Sequence, residues 1–216
     1  MLITIALLAA TSRDPLGARA AEPAAKELAA GDVDPATSRV YVHVKKRRLG
    51  HEHGVEGRVK SGRLQLDAAD KAGQIIFDMT SFKADTDAAR QHVGLEGTTD
   101  AGEQSDVTKT MTGAGVLDVA KYPTATFAVT SSKRMEKDAE GGHARYELVG
   151  EFDLHGKKQP LTVVAVAGEL KDGLRQLTGE FTIKQTDYGI KPFSTFGGIV
   201  SVADALRILG DLSIKQ

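Results

Sequence analysis

The chain contains no cysteine. That excludes disulfides, a thiol nucleophile, cysteine-ligated zinc and a lipid-modified cysteine anchor. Tryptophan is also absent and aromatic residues make up only 5% of the chain, so any interior is built mainly from aliphatic side chains. Neither sign of charge dominates: 28 Lys and Arg stand against 29 Asp and Glu, which gives no electrostatic case for nucleic acid. No apolar run is long enough to span a bilayer, so no stable membrane span is expected. Enzyme signatures are missing as well. There is no G-x-S-x-G elbow, no phosphate-binding loop and no H-E-x-x-H. The expectation is a binding protein rather than an enzyme.

Hydrophobic residues make up 41% of 216 residues, enough for a sizeable core in one good-sized domain. Residues 2–10 form a nine-residue apolar run, and Ala18, Arg19 and Ala20 fit a small-residue cleavage site, as in a secretory signal peptide over 1–20. The usual basic segment before the run is missing, so a translation start upstream of Met1 is also expected. The alternative is a frayed terminal segment. Residues 21–34, rich in Ala, Glu and Pro and without apolar periodicity, read as a flexible linker, which leaves a folded domain over 35–216. Such an N-terminus implies a periplasmic or secreted protein.

The domain reads as strand after strand. Around 114–129 the run AGVLDVAKYPTATFAV turns a rigid corner at Pro123 and enters a half-buried strand, with Ala125, Phe127 and Val129 on one face. Alternation of the same kind predicts strands at Val40 to Lys45 and over 74–84, 144–154, 161–170, 174–186 and 206–215. Two shorter strands, 54–60 and 63–67, are expected to meet at a turn on Ser61 and Gly62. Hairpin turns are expected at Glu140-Gly141-Gly142, His155-Gly156 and Asp172-Gly173. The middle, 85–115, breaks the rhythm with five glycines and offers two short helical turns, 86–93 and 105–111. The fold class is therefore all-β: about eight antiparallel strands, folded as a sandwich or, with fewer exposed edges, closed into a barrel, with one or two short helices in a long mid-chain crossing. An eight-stranded barrel is just wide enough for packed side chains or for one slender ligand.

Three runs in order carry a resemblance: DVAKYPTATF, FDLHGKKQPL from Phe152 to Leu161, and TDYGI from Thr186 to Ile190. Together they resemble the YceI-like family of largely secreted, lipocalin-like bacterial proteins associated with polyisoprenoids and similar lipids. The resemblance covers the whole domain. Two departures stand out. Where the family often has Arg-Asp-x-His-Leu, this chain has Arg90 followed by Gln91, His92, Val93 and Gly94, and where it often has Asn-Arg, Lys184 and Gln185 stand here.

The resemblance implies a lipocalin-like barrel that sequesters or shuttles an apolar lipid. The candidate lining is Val42, Val44, Phe77, Met79, Phe127, Val129, Phe152, Leu154, Phe181, Ile183, Leu206 and Ile208. Periodicity alone fits a solid core equally, since both need inward alternation; the resemblance favours a cavity. Lys45, Lys46, Arg47 and Arg48 are candidates for a phosphate or pyrophosphate head group, against a merely solvated turn. His51 and His53, two apart on an extended backbone, raise the alternative of a metal-binding protein or metal-dependent hydrolase, with His92 or a carboxylate as third ligand. No cofactor is expected beyond a bound isoprenoid lipid. The expected partner is that lipid, with a homodimer as a further option. A third reading, a barrel acting through a protein partner, requires an exposed apolar patch.

Overall fold

A computed structural model describes residues 27–216. The expected signal peptide over 1–20 lies outside the described residues. Among the described residues nine strands run in chain order with two helices between the third and fourth: β1 (Arg39–Lys46), β2 (His53–Leu64), β3 (Gly73–Ala84), α1 (Asp87–Val93), α2 (Ala101–Thr112), β4 (Thr124–Arg134), β5 (Arg145–Leu154), β6 (Lys157–Lys171), β7 (Leu174–Lys184), β8 (Ser194–Thr195) and β9 (Val200–Lys215). Seven strands pair antiparallel with their sequence neighbours, β7 pairs with β9, and β9 pairs with β1, which closes an eight-stranded antiparallel barrel. The two-residue β8 adds only to the start of β9. Closure leaves no long unpaired edge in the main barrel.

The local chemistry is visible in the turns. His155 and Gly156 both have positive φ, as do Asp172 and Gly173, the conformation that two-residue hairpin loops need to match strand twist. Thr86 caps α1 by accepting from the Ala89 amide, and Asp100 caps α2 by accepting from Gly102 and Glu103. The second helix therefore begins four residues earlier than its expected start at 105.

Three expectations are corrected. The strands expected over 54–60 and 63–67 are one strand, β2, because Ser61 and Gly62 continue the ladder opposite Ile76 and Ile75. Gly62 serves close approach rather than a turn: a Cβ there would sit 3.0 Å from the Val33 side chain. The expected linker over 21–34 does not reach its last residues. Val33 is buried and bridges Ile214, while Gly31 donates to the Lys215 carbonyl and accepts from Leu64. Finally, β9 starts at Val200 rather than 206, its first residues held by β8 and by the end of β1.

The core is aliphatic with an aromatic knot. Phe152 meets Phe77, Phe181 and Tyr188 edge-on, with ring centroids 6.2, 6.1 and 5.8 Å away. Tyr188 is buried in the turn after β7, so its role is packing. At one end of the barrel α1 lies on the outer face of β1 and β2. Gly54 makes this approach possible, because a Cβ there would be 2.8 Å from backbone atoms of Ala89 and Arg90. His92 of α1 stacks on Tyr41 at 3.7 Å between centroids. The helix α2 packs against β3. No helix among the described residues is long and apolar enough to cross a membrane.

Candidate functional site

The barrel is not filled. A cavity of about 290 Å³ occupies the half nearest the helices. Its wall is built from inward residues of six strands, β1 to β3, β5, β7 and β9, together with Ala125 of β4. Val107 and Met111 of α2, with Val116 and Leu117 after it, cover the end. They sit one helical turn apart and so share a face. Only His53, Asp106, Thr110 and Gln185 bring polar side chains to this lining. A second cavity of about 50 Å³ lies deeper. Val40, Phe77, Phe152 and Phe181 border both, so the aromatic knot forms the floor of the larger cavity.

Ten of the twelve expected lining residues border the larger cavity: Val42, Val44, Phe77, Met79, Phe152, Leu154, Phe181, Ile183, Leu206 and Ile208. Two do not. Phe127 borders only the smaller cavity, and Val129 borders neither and is buried in the core. Both are buried as alternation requires, but Phe127, the cross-strand partner of Phe152, faces the smaller cavity and Val129 lies two residues further along β4.

Sequence reasoning missed Phe82 and Ala84. Continuing the alternation of Ile75, Phe77 and Met79 would put 81 and 83 inside. Instead β3 bulges, so that Glu56 and Arg58 of β2 face Lys83 and Asp78, and the phase resets. Ile190, Phe193 and Val202 were missed because they lie in irregular chain or at the unexpected start of β9. The i,i+4 pair of Val107 and Met111 was a signal that could have placed the expected helix over the cavity.

The polar group of most consequence was also missed. Asp85 is 2% exposed and sits where β3 turns into α1, with φ at 56°. Its Oδ2 pairs with His53 Nδ1 at 2.6 Å, and its Oδ1 accepts from the Gly54 amide at 3.1 Å and from Arg90 Nη1 at 3.4 Å. Burial raises the carboxyl pKa. The His53 hydrogen bond and charge, the Gly54 amide and the Arg90 guanidinium outweigh it and hold Asp85 below the usual carboxylate range. Arg90 in turn donates to the carbonyls of Glu96 and Gly97, fixing the loop between the helices. On the opposite wall, buried Gln185 donates to the Ala203 carbonyl at 2.8 Å.

These partners correct the metal alternative. His53 is held by Asp85, His92 is stacked on Tyr41, and His51 is exposed before β2 begins. The three imidazoles do not converge, and among the described residues no group of three His, Asp or Glu side chains is placed to hold a metal ion. Lys45, Lys46, Arg47 and Arg48 are exposed at the cavity end of the barrel, and none of them borders the cavity.

Comparison with known proteins agrees with this geometry. A UPF0312 protein of Pseudomonas savastanoi pv. phaseolicola is 28% identical over 164 residues, which cover 74% of this chain and 75% of that protein. The crystal structure of Burkholderia cenocepacia BcnA superposes with a TM-score of 0.55 at 21% identity, covering 85% of this chain and 99% of that one. A polyisoprenoid binding domain from Saccharophagus degradans, implicated in plant cell wall breakdown, superposes with a TM-score of 0.57 at 15% identity, covering 87% and 99%. At these identities the two structures share the fold. A family model, the YceI-like domain, matches residues 32–214, from the bridge beside Val33 to the end of β9, and the chain belongs to that family.

Proposed function

We propose that the chain binds a polyisoprenoid or similar apolar lipid inside the barrel, without chemical turnover, and sequesters or shuttles it through an aqueous compartment. The observation that carries this reading is the cavity itself: about 290 Å³, walled by aliphatic and aromatic side chains, with four polar residues near its helical end. That volume is close to the lower bound for small-molecule sites, about 300 Å³, and suits a slender chain. Each CH₂ group transferred from water contributes roughly 0.8 kcal/mol, so an isoprenoid tail needs no specific hydrogen bond to bind tightly. The Saccharophagus degradans polyisoprenoid binding domain supports the choice of ligand class. The apolar run over 2–10 supports a periplasmic or secreted setting.

Native mass spectrometry of the purified full chain, before and after organic extraction, tests the reading. The expected result is an extractable adduct of lipid mass that a folded Val42→Trp variant, with its cavity filled, does not carry. A chain that carries no adduct and retains no added polyprenyl lipid would overturn it.

A further inference from the structure

Beyond the cavity, β1 and β9 continue past the barrel wall as a zipped arm. Lys46 lies opposite Val202, the Arg47 amide donates to the Ser201 carbonyl at 2.8 Å, and the Leu49 amide donates to the Ile199 carbonyl at 3.2 Å. The arm gathers apolar surface that the barrel does not use. Of the six large hydrophobic side chains exposed among the described residues, four are here: Leu49 at 66%, Phe193 at 39%, Phe196 at 76% and Ile199 at 52%. Scattered exposed apolar side chains are ordinary; a cluster at one tip is not.

Phe196 also stands in the left-handed region, with φ at 50°, followed by Gly197 and Gly198 with positive φ. A bulky residue is strained there, so the turn holds the ring outward at a cost that packing does not repay. Cations surround the tip. Lys45, Lys46, Arg47 and Arg48 precede Leu49, Lys191 precedes Phe193, and no acid occurs between Asp187 and Asp204. Among the described residues none of these five cations forms an ion pair with a carboxylate.

We infer that this face docks on an anionic lipid bilayer, with Leu49, Phe196 and Ile199 entering the interface and the Lys45–Arg48 run and Lys191 meeting head-group phosphates. Apolar side chains at a protruding tip, ringed by long basic ones that reach outward, match a membrane surface. Three of the five cations, Lys45, Lys46 and Lys191, are of the residue type that protein interfaces deplete. Phe193 and Val202 belong both to the arm and to the cavity lining, so docking sets the cavity end against the bilayer. This inference goes beyond lipid binding in the barrel and stands or falls separately from it.

The absence of tryptophan makes the test direct. In the full chain, Phe196→Trp places one indole at the tip, and Leu170→Trp places one at the exposed β6–β7 turn, at the other end of the barrel. Both are mixed with vesicles of phosphatidylcholine and phosphatidylglycerol whose acyl chains carry bromine, with no isoprenoid present. The expected result is a blue shift and quenching for Phe196→Trp and neither for Leu170→Trp. Adding Lys45→Glu and Arg48→Glu to Phe196→Trp lowers vesicle affinity by about 25-fold or more, since each cation near an anionic leaflet contributes about fivefold. Absent quenching, equal quenching at both positions, or an undiminished signal on phosphatidylcholine alone would overturn the inference. So would self-association that Phe196→Ser abolishes without any quenching, which would assign the face to a second copy of the chain.

Discussion

His53 Nδ1 and Asp85 Oδ2 lie 2.6 Å apart across the junction of β2 with the turn into α1, joining a residue of the cavity wall to the loop that carries the helices. The pair adds a buried hydrogen bond to the packing that holds the helical end of the cavity on the barrel. Because Asp85 is buried and its carboxylate also accepts from Gly54 and Arg90, removing its charge weakens all of these hydrogen bonds at once.

Asp85→Asn is expected to lower stability by about 3–5 kcal/mol at neutral pH, the range for breaking a buried paired charge. Asparagine tolerates the positive φ, so the loss reports the charge rather than the backbone. The carboxyl pKa is depressed on folding, so its contribution is complete above the ordinary aspartate value and is lost as pH falls through the folded one. Urea unfolding of both proteins across a pH series checks this: the difference closes in acid. A difference that stays constant to the acid limit would show that the carboxylate charge is not its source.

The pair between Arg207 and Glu180 forms an instructive contrast. Its two hydrogen bonds measure 2.6 and 2.7 Å, yet the side chains are 39% and 50% exposed. Water screens them, so Arg207→Gln is expected to cost less than about 1 kcal/mol, and less still in high salt. Thermal melts at two salt concentrations measure it.

Gly54→Ala is expected to cost about 1–3 kcal/mol, the usual penalty for overpacking, because its Cβ would meet backbone rather than a side chain that can swing away. The loss should be local before it is global. Hydrogen exchange is expected to rise in α1 amides while the strands on the far side of the barrel keep their protection.

Phe152→Leu opens the floor between the two cavities while keeping an apolar side chain there. The melting temperature is expected to fall and, on the proposed lipid-binding function, the adduct weighed by native mass spectrometry is expected to shift toward longer chains. Phe152→Ala enlarges the opening but costs about 3–5 kcal/mol, so the leucine variant is the cleaner probe. An unchanged mass distribution in a folded Phe152→Leu protein would show that the aromatic knot does not set ligand length.

Much of the barrel was legible because alternation survives wherever a strand runs straight. On β5 the inward set Tyr146, Leu148, Phe152 and Leu154 is buried as its pattern requires. The pattern fails where the backbone departs from that geometry. The bulge of β3 hides Phe82 and Ala84, and Gly62 of β2, beside Ser61, read as a turn although it admits a close neighbour. The spacing of His51 and His53 suggested a pair, but the strand begins only at His53, so alternation does not reach back to His51. Asp85 carried no signal at all. Its partners come from residues 53, 54 and 90, which only the pairing of β2 with β3 and the docking of α1 bring together.

The seam between β1 and β9 has a consequence for how the chain folds. The Ser213 amide donates to Ser38 Oγ, a contact between residues 175 positions apart. Hairpins from β2 to β7 join sequence neighbours, but the inner apolar face stays open until the sixteen residues of β9 join both β7 and β1. Such a long-range pairing slows folding relative to a fold built from local contacts. The C-terminal strand thus sets the time at which the protein first acquires an inside.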